Sequence, residues 1–274
     1  MNLAVVGHVE WVEFIRVEDM PVTGEIVHAL EWWEEPGGGG AGAAGQLAKL
    51  AGSATFFTAL GADDLATRTI DRLAAMGVTV HAAIREVPSR RAVTHVDAAG
   101  ERTISVLGER LAPHGDDSLP WDVLGEADAV YFTAGDADAL RRARSARVLV
   151  ATARTLDVLA SAGVQIDVLV GSAVDESELY EAGDIDPAPR VVVRTNGESG
   201  GAFETDDGRS GTYQAVSPHG PIVDRYGAGD CFAAGLTYAL GRGDTLEGAL
   251  DLAARCGAAV ITGRGPYEGQ LRPE

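Results

Sequence analysis

The chain has 274 residues, enough for one large α/β domain with a sizeable core, and its 41 acidic against 22 basic residues give a net charge of −19. No basic stripe is present, which excludes a nucleic acid or an anionic membrane surface as partner; a small anionic substrate stays open, because local arginines and helix N-termini bind anions whatever the overall charge. No apolar run approaches the ~20 residues of a membrane span. Cys231 and Cys256 lie in apolar helical patterns and read as core residues, so a cytoplasmic protein without disulfides is expected.

In chain order, residues 3–6 form a short apolar run stopped by Gly7, the pattern of a buried parallel strand. Residues 9–17 and 25–33 are β-prone and partly alternating, an excursion from the main sheet before any helix. Trp32 to Glu35 is then ended by Pro36, and the glycine-rich run 37–42 leads into a helix over 43–51. Gly37, Gly39 and Gly42 satisfy G-x-G-x-x-G with Asp63 21 residues further on, so a dinucleotide site competes here; a charged run ended by proline is a poor first strand for one. A strand over 54–60, a Gly61–Asp64 turn and a helix carrying Ile70, Leu73 and Met76 follow. Residues 92–97 and 102–107 alternate about the Gly100 turn as a hairpin, on which Arg91, Thr94 and Arg102 face a substrate or guard a sheet edge.

Strands over 128–133 and 146–151 flank a helix at 136–144, and Gly135-Asp136 falls where an open α/β sheet places its crevice. After the strand at 167–170, Ser172 to Glu176 offers hard oxygen ligands or an ordinary capped helix start. The strand 190–194 runs into Thr195-Asn196-Gly197-Glu198-Ser199-Gly200-Gly201, a turn whose glycines allow a tight reversal, and then an edge hairpin. A last helix spans 245–262.

Gly227-Ala228-Gly229-Asp230 opens the helix before it. Its glycines bring backbone close to a ligand, the helix supplies free N–H groups, and together they suit an anion. A carboxylate beside a bound phosphate is repelled, unless Asp230 takes the proton of a hydroxyl attacking that phosphate; otherwise it merely complements the helix dipole.

With Val223-Asp224 before it, this turn resembles the signature of the ribokinase-like (PfkB) carbohydrate kinase family. The resemblance implies a three-layer αβα, doubly wound and mostly parallel sheet: one domain over 1–274 with a small β-sheet lid from segments about 9–34 and 90–108. It also implies transfer of the ATP γ-phosphoryl group to a sugar, nucleoside or polyol, with Mg²⁺, a monovalent cation such as K⁺ near the Asp224 loop, and a homodimer formed through the lid. Asp230 then corresponds to the base and Gly227, Ala228 and Gly229 to the anion hole; Thr195, Gly197, Gly200, Asp224, Gly227 and Gly229 fall on the nucleotide side, with alanines around Ala253 and Ala258 near adenine. Gly37 and Gly38 take the place of the family's sugar-side di-glycine hinge, and Asp175, in an altered Asn-x-x-Glu element, would hold magnesium through water. Three substrate positions depart from the family: Glu10 and Val12 replace its Asn-x-Asp, and Gly42 an asparagine. Glu10 or Glu13 is the candidate substitute, and a non-catalytic binder on a kinase scaffold is the alternative these departures raise. Arg225, next to the turn, would stabilise charge, recognise an anion or lie on the surface.

Overall fold

The computed structural model describes residues 1–273. Strand β1 (Leu3–Val6) is followed by β2 (Glu10–Arg16), β3 (Glu31–Gly37), helix α1 (Gly39–Ala51), β4 (Ala54–Gly61), α2 (Asp64–Ala74), β5 (Val78–Arg85), β6 (Arg91–Val96) and β7 (Arg102–Leu107). Then come β8 (Ala129–Phe132), α3 (Ala137–Ala143), β9 (Leu149–Thr152), α4 (Leu156–Ala162), β10 (Val168–Ser172), β11 (Val191–Thr195), β12 (Gly201–Thr205), β13 (Ser210–Tyr213), α5 (Ala228–Arg242) and α6 (Leu246–Val260).

Nine strands form the main sheet in the order β13-β12-β11-β10-β9-β8-β1-β4-β5, in which only β12 runs against the others, pairing antiparallel with both β11 and β13. β1 is apolar at every position because both its faces are covered: Leu3 and Val5 join the core beneath α1, α5 and α6, Ala4 and Val6 the core beneath α3 and α4. The chain leaves β1 toward β4 on one side and fills β8 to β13 on the other, so the strand order reverses at β1/β8. Crevices for ligands open at such a reversal, beyond the C-terminal strand ends. Gly7 and Thr133 end the two strands there, so close that a Cβ on Gly7 would lie 2.4 Å from Thr133 Oγ1.

A second sheet, β3-β2-β6-β7, is the lid. Val12, Phe14, Ala92 and Val96 share its buried face and pack on Tyr226, while Trp33 stacks on Phe14 at 5.0 Å. The strand expected over 25–33 starts instead at Glu31 and continues through Pro36, which pairs with Trp11. Proline survives there because β3 is an edge strand, where a missing N–H leaves no ladder bond unmade. The dinucleotide reading fails on the same ground: Gly37 ends a lid strand rather than β1, and Asp63 caps α2 through Ala66 N while binding Ser89.

The helix expected from residue 43 begins at Gly39, so Gly39 to Gly42 are helical. α5 and α6 pack closely because Gly235 has no side chain: a Cβ would meet Cys256 Sγ at 2.7 Å and Ala253 Cα at 3.0 Å. Ala253, expected beside adenine, therefore serves helix packing. Both cysteines are buried and free, and among the described residues no helix is long and apolar enough to cross a membrane.

Candidate active site

Gly227 caps α5 in the left-handed region (φ 78°), open to glycine at little cost, and no side chain caps the helix. The first helical bond there runs from Cys231 N to Gly227 O, which leaves the amides of Ala228, Gly229 and Asp230 free. No atom lies within 4 Å of a Cβ placed on Gly229, so this end of the helix is open for an anion to approach. α1 also begins without a side-chain cap, at Gly38 (φ 83°), and a Cβ on Gly39 would lie 2.7 Å from Asp230 Oδ1. Two helix N-termini therefore converge on one carboxylate.

Burial pushes the Asp230 carboxyl up to about 6; the Arg154 charge opposes this most, Glu178 adds to it, and a hydrogen bond with Tyr131 favours the ionised form. A carboxyl near 6 is mostly ionised at neutral pH yet basic enough to accept a proton.

Asp224 does something other than touch a nucleotide. It is fully buried, Oδ1 accepting from Tyr226 N and Oδ2 from Gly265 N, both at 2.9 Å. The bonds of this carboxylate brace the turn, and Arg16 places a guanidinium on Val223 O at 3.3 Å. The Tyr226 hydroxyl accepts from Gly38 N at 2.9 Å, and its ring meets Phe14 edge-on at 5.1 Å. Gly37 is needed for this packing, since a Cβ would lie 2.5 Å from Val12 and 2.6 Å from the Tyr226 hydroxyl.

Beside this contact sits Glu35, accepting from Trp33 Nε1 at 3.1 Å and pressed so closely by Gly265 that a Cβ there would lie 1.9 Å from Oε1. Burial, helped by the Asp224 charge, raises its carboxyl from 4.5 to about 7, against the Trp33 bond and nearby arginines. Between those values the folded chain keeps a proton that the unfolded chain has released, so this group's contribution is full below about pH 4.5 and lost as pH rises through 7. Glu35→Gln should match the parent at pH 4.5 and exceed it by roughly 2–3 kcal/mol at pH 8, measured by urea unfolding at both pH values; an equal difference at both would mean that the carboxyl does not titrate in this window.

On the acceptor side, His8 follows β1, its ring 3.1 Å from a Cβ on Gly38. Burial, then the charges of Arg110, Arg90 and Arg154, hold the imidazole down to about 3, and Nδ1 is buried without a hydrogen-bond partner. Glu10 is 7% exposed and pairs with Arg90 at 2.8 Å. Glu13 alternates to the other lid face and pairs with Arg91, so Glu10 is the acid on the site side. Val12 supplies apolar floor, and Thr94 is buried on the same face. A Cβ on Gly42 would face Pro266 at 3.7 Å, and its carbonyl accepts from Gln270 Nε2 at 2.7 Å.

On the donor side, Thr195 ends β11 with its hydroxyl 3.4 Å from Gly171 O, and Asn196 N bonds Gly200 O at 2.8 Å to close the turn. Gly197 and Gly200 both have positive φ, and a Cβ on Gly200 would lie 2.2 Å from Tyr213 O. Arg225 is held by Glu101 at 2.9 Å and Glu198 at 3.2 Å, which fixes it as a surface ion pair. Ser172 to Glu176 does not open a long helix: a single 3₁₀ turn follows at 176–178. The Asp175 oxygens accept from Ser177 N at 3.0 Å, Ser177 Oγ at 2.7 Å and Arg154 at 3.0 Å, which ties this carboxylate into its own loop. Glu178, which accepts from Ser172 N at 2.9 Å and pairs with Arg154, is the acid whose charge reaches Asp230.

The fold is a three-layer α/β architecture carrying a four-stranded β-sheet lid. The chain belongs to the pfkB family of carbohydrate kinases, whose model matches residues 1–272. It is 40% identical to acarbose 7(IV)-phosphotransferase of Actinoplanes sp. over 77 residues, 27% of this chain and 25% of that protein. It is 30% identical to ribokinase of Dictyostelium discoideum over 109 residues, 39% of this chain and 34% of that protein. Among solved structures, a putative ribokinase from Agrobacterium tumefaciens superposes with a TM-score of 0.81 at 22% identity, covering 99% of this chain and 94% of the other. The ribokinase of Arabidopsis thaliana complexed with ribose and ATP gives 0.77 at 21% identity, covering 99% and 96%. Likeness at that identity establishes the fold.

Proposed function

We propose that the chain transfers the γ-phosphoryl group of ATP to a hydroxyl of a small sugar, nucleoside or related polyol. The observation that carries this reading is Asp230 at the meeting of the two uncapped helix N-termini, with its carboxyl near 6. The acceptor hydroxyl gives its proton to Asp230 as its oxygen bonds the γ-phosphorus, and the bond to the bridging oxygen breaks to release ADP. The free amides of Ala228 and Gly229 hold the charge gathering on the transferred group; donors of this kind are each worth about 10²–10³ in rate. A bound Mg²⁺ would supply charge neutralisation at the phosphates, and Glu178 suits it better than Asp175 because its charge is the one that reaches Asp230. The lid keeps water, a competing acceptor, from the site. Exposed Ile104, Val106 and Leu107 on β7, an edge strand of the lid, support a homodimer formed through that sheet.

ADP release measured over a panel of sugars, nucleosides and polyols tests the reading. One member should give a rate at least tenfold above the acceptor-free background. Saturable binding with no turnover of any binder would favour the non-catalytic alternative.

A further inference from the structure

A cavity of about 370 Å³ opens at the C-terminal ends of β8 and β9, lined by Ala134, Gly135, Ala153, Arg154 and Thr155, with Arg110 reaching in from the segment after β7. A larger one, about 580 Å³, is lined by His219, Thr262 and Arg264; the smaller holds Ala134 and Gly135, just beyond the end of β8 at the strand-order reversal, where the crevice opens. The charge of Arg154, on the smaller cavity's wall, is the strongest acting on Asp230.

Three guanidiniums meet around His8, and two of them are matched: Arg90 by Glu10 at 2.8 Å, Arg154 by Asp175 at 3.0 Å and by Glu178. Arg110 has no hydrogen-bond or ion-pair partner among the described residues, although the chain carries 41 acidic residues to 22 basic ones. It stands among like charges, repelled by Arg90 and Arg154 and attracted only by Glu10, itself spoken for. In the same crevice, His8 Nδ1 and Thr133 Oγ1 are buried without a hydrogen-bond partner. Buried, unmatched groups such as these two cost stability and persist where a ligand completes them, and Arg110, exposed at the cavity wall, is free to reach one.

We propose that the acceptor carries an anionic group, a phosphate or a carboxylate, at the end remote from the reacting hydroxyl, and that Arg110 receives it. This rests on the kinase reading of the same crevice. The planar guanidinium suits both anions, and Glu10, tied to Arg90, is left to meet a hydroxyl instead of the charge.

Calorimetric binding and ADP release are to be measured with three matched pairs: ribose and ribose 5-phosphate, fructose and fructose 6-phosphate, glucose and gluconate. At least one anionic member should bind ten times or more as tightly as its neutral partner. Arg110→Gln should erase that gap and Arg110→Lys keep part of it. Equal binding within every pair, no binding by any anionic member, or a gap that survives Arg110→Gln would overturn the proposal. The two readings separate: a bound anion that gives no ADP sinks the kinase reading alone, and turnover restricted to neutral members sinks this one alone.

Discussion

Asp230→Asn is expected to lower kcat and kcat/KM together by about 10²–10⁴-fold while leaving the fold and nucleotide binding in place, because the amide fills the same space but cannot accept the hydroxyl proton. The pH dependence gives an independent reading. Burial sets the Asp230 carboxyl at about 6, and the base works only when unprotonated, so parental kcat/KM should fall as pH drops through about 6. In the variant that acid limb should vanish along with the rate. Activity within tenfold of the parent, or an acid limb that outlives the carboxylate, would remove Asp230 from its assigned role.

Gly39→Ala separates catalytic geometry from stability. A Cβ there would lie 2.7 Å from Asp230 Oδ1 and 3.3 Å from Cγ, so the carboxylate must turn away. Its backbone does not take a positive φ, and alanine is the better helix former, so the substitution should hold or raise the melting temperature. Displacing a catalytic group by this much costs about 10²-fold. Loss of rate at an unchanged or higher melting temperature is the expected result; full activity at that temperature would show that Asp230 works from another rotamer.

The parts of the molecule that were legible in the sequence are those fixed by local chemistry. β1, β8 and β9 are buried on both faces and read as unbroken apolar runs. The Gly227–Asp230 turn was readable because its glycine dihedral, the helix start and the carboxylate lie within four residues. Errors arose where tertiary context decides. Pro36 stops a strand in most settings but not on an edge, and Gly39 to Gly42 are helical although glycine disfavours it, because Phe56 and His8 leave no room for a side chain at Gly40. His8, Arg90, Arg110, Arg154 and Glu178 were missed as a group: they come from five separate segments, and no spacing rule joins them. One hint existed for Arg154, two residues beyond a strand end that points at the crevice.

Tyr226 is covalently next to Gly227, while its hydroxyl holds the backbone of Gly38 and its ring rests on Phe14 of the lid. One phenol thus ties the lid to the Gly227–Asp230 turn. A pull on the lid would travel through a hydrogen bond and a single peptide unit to the start of α5, so in the proposed reaction the free amides there would depend on the lid for their position. If the proposed transfer holds, Tyr226 would serve as a mechanical interlock, keeping the turn in alignment only while the lid shields it from water.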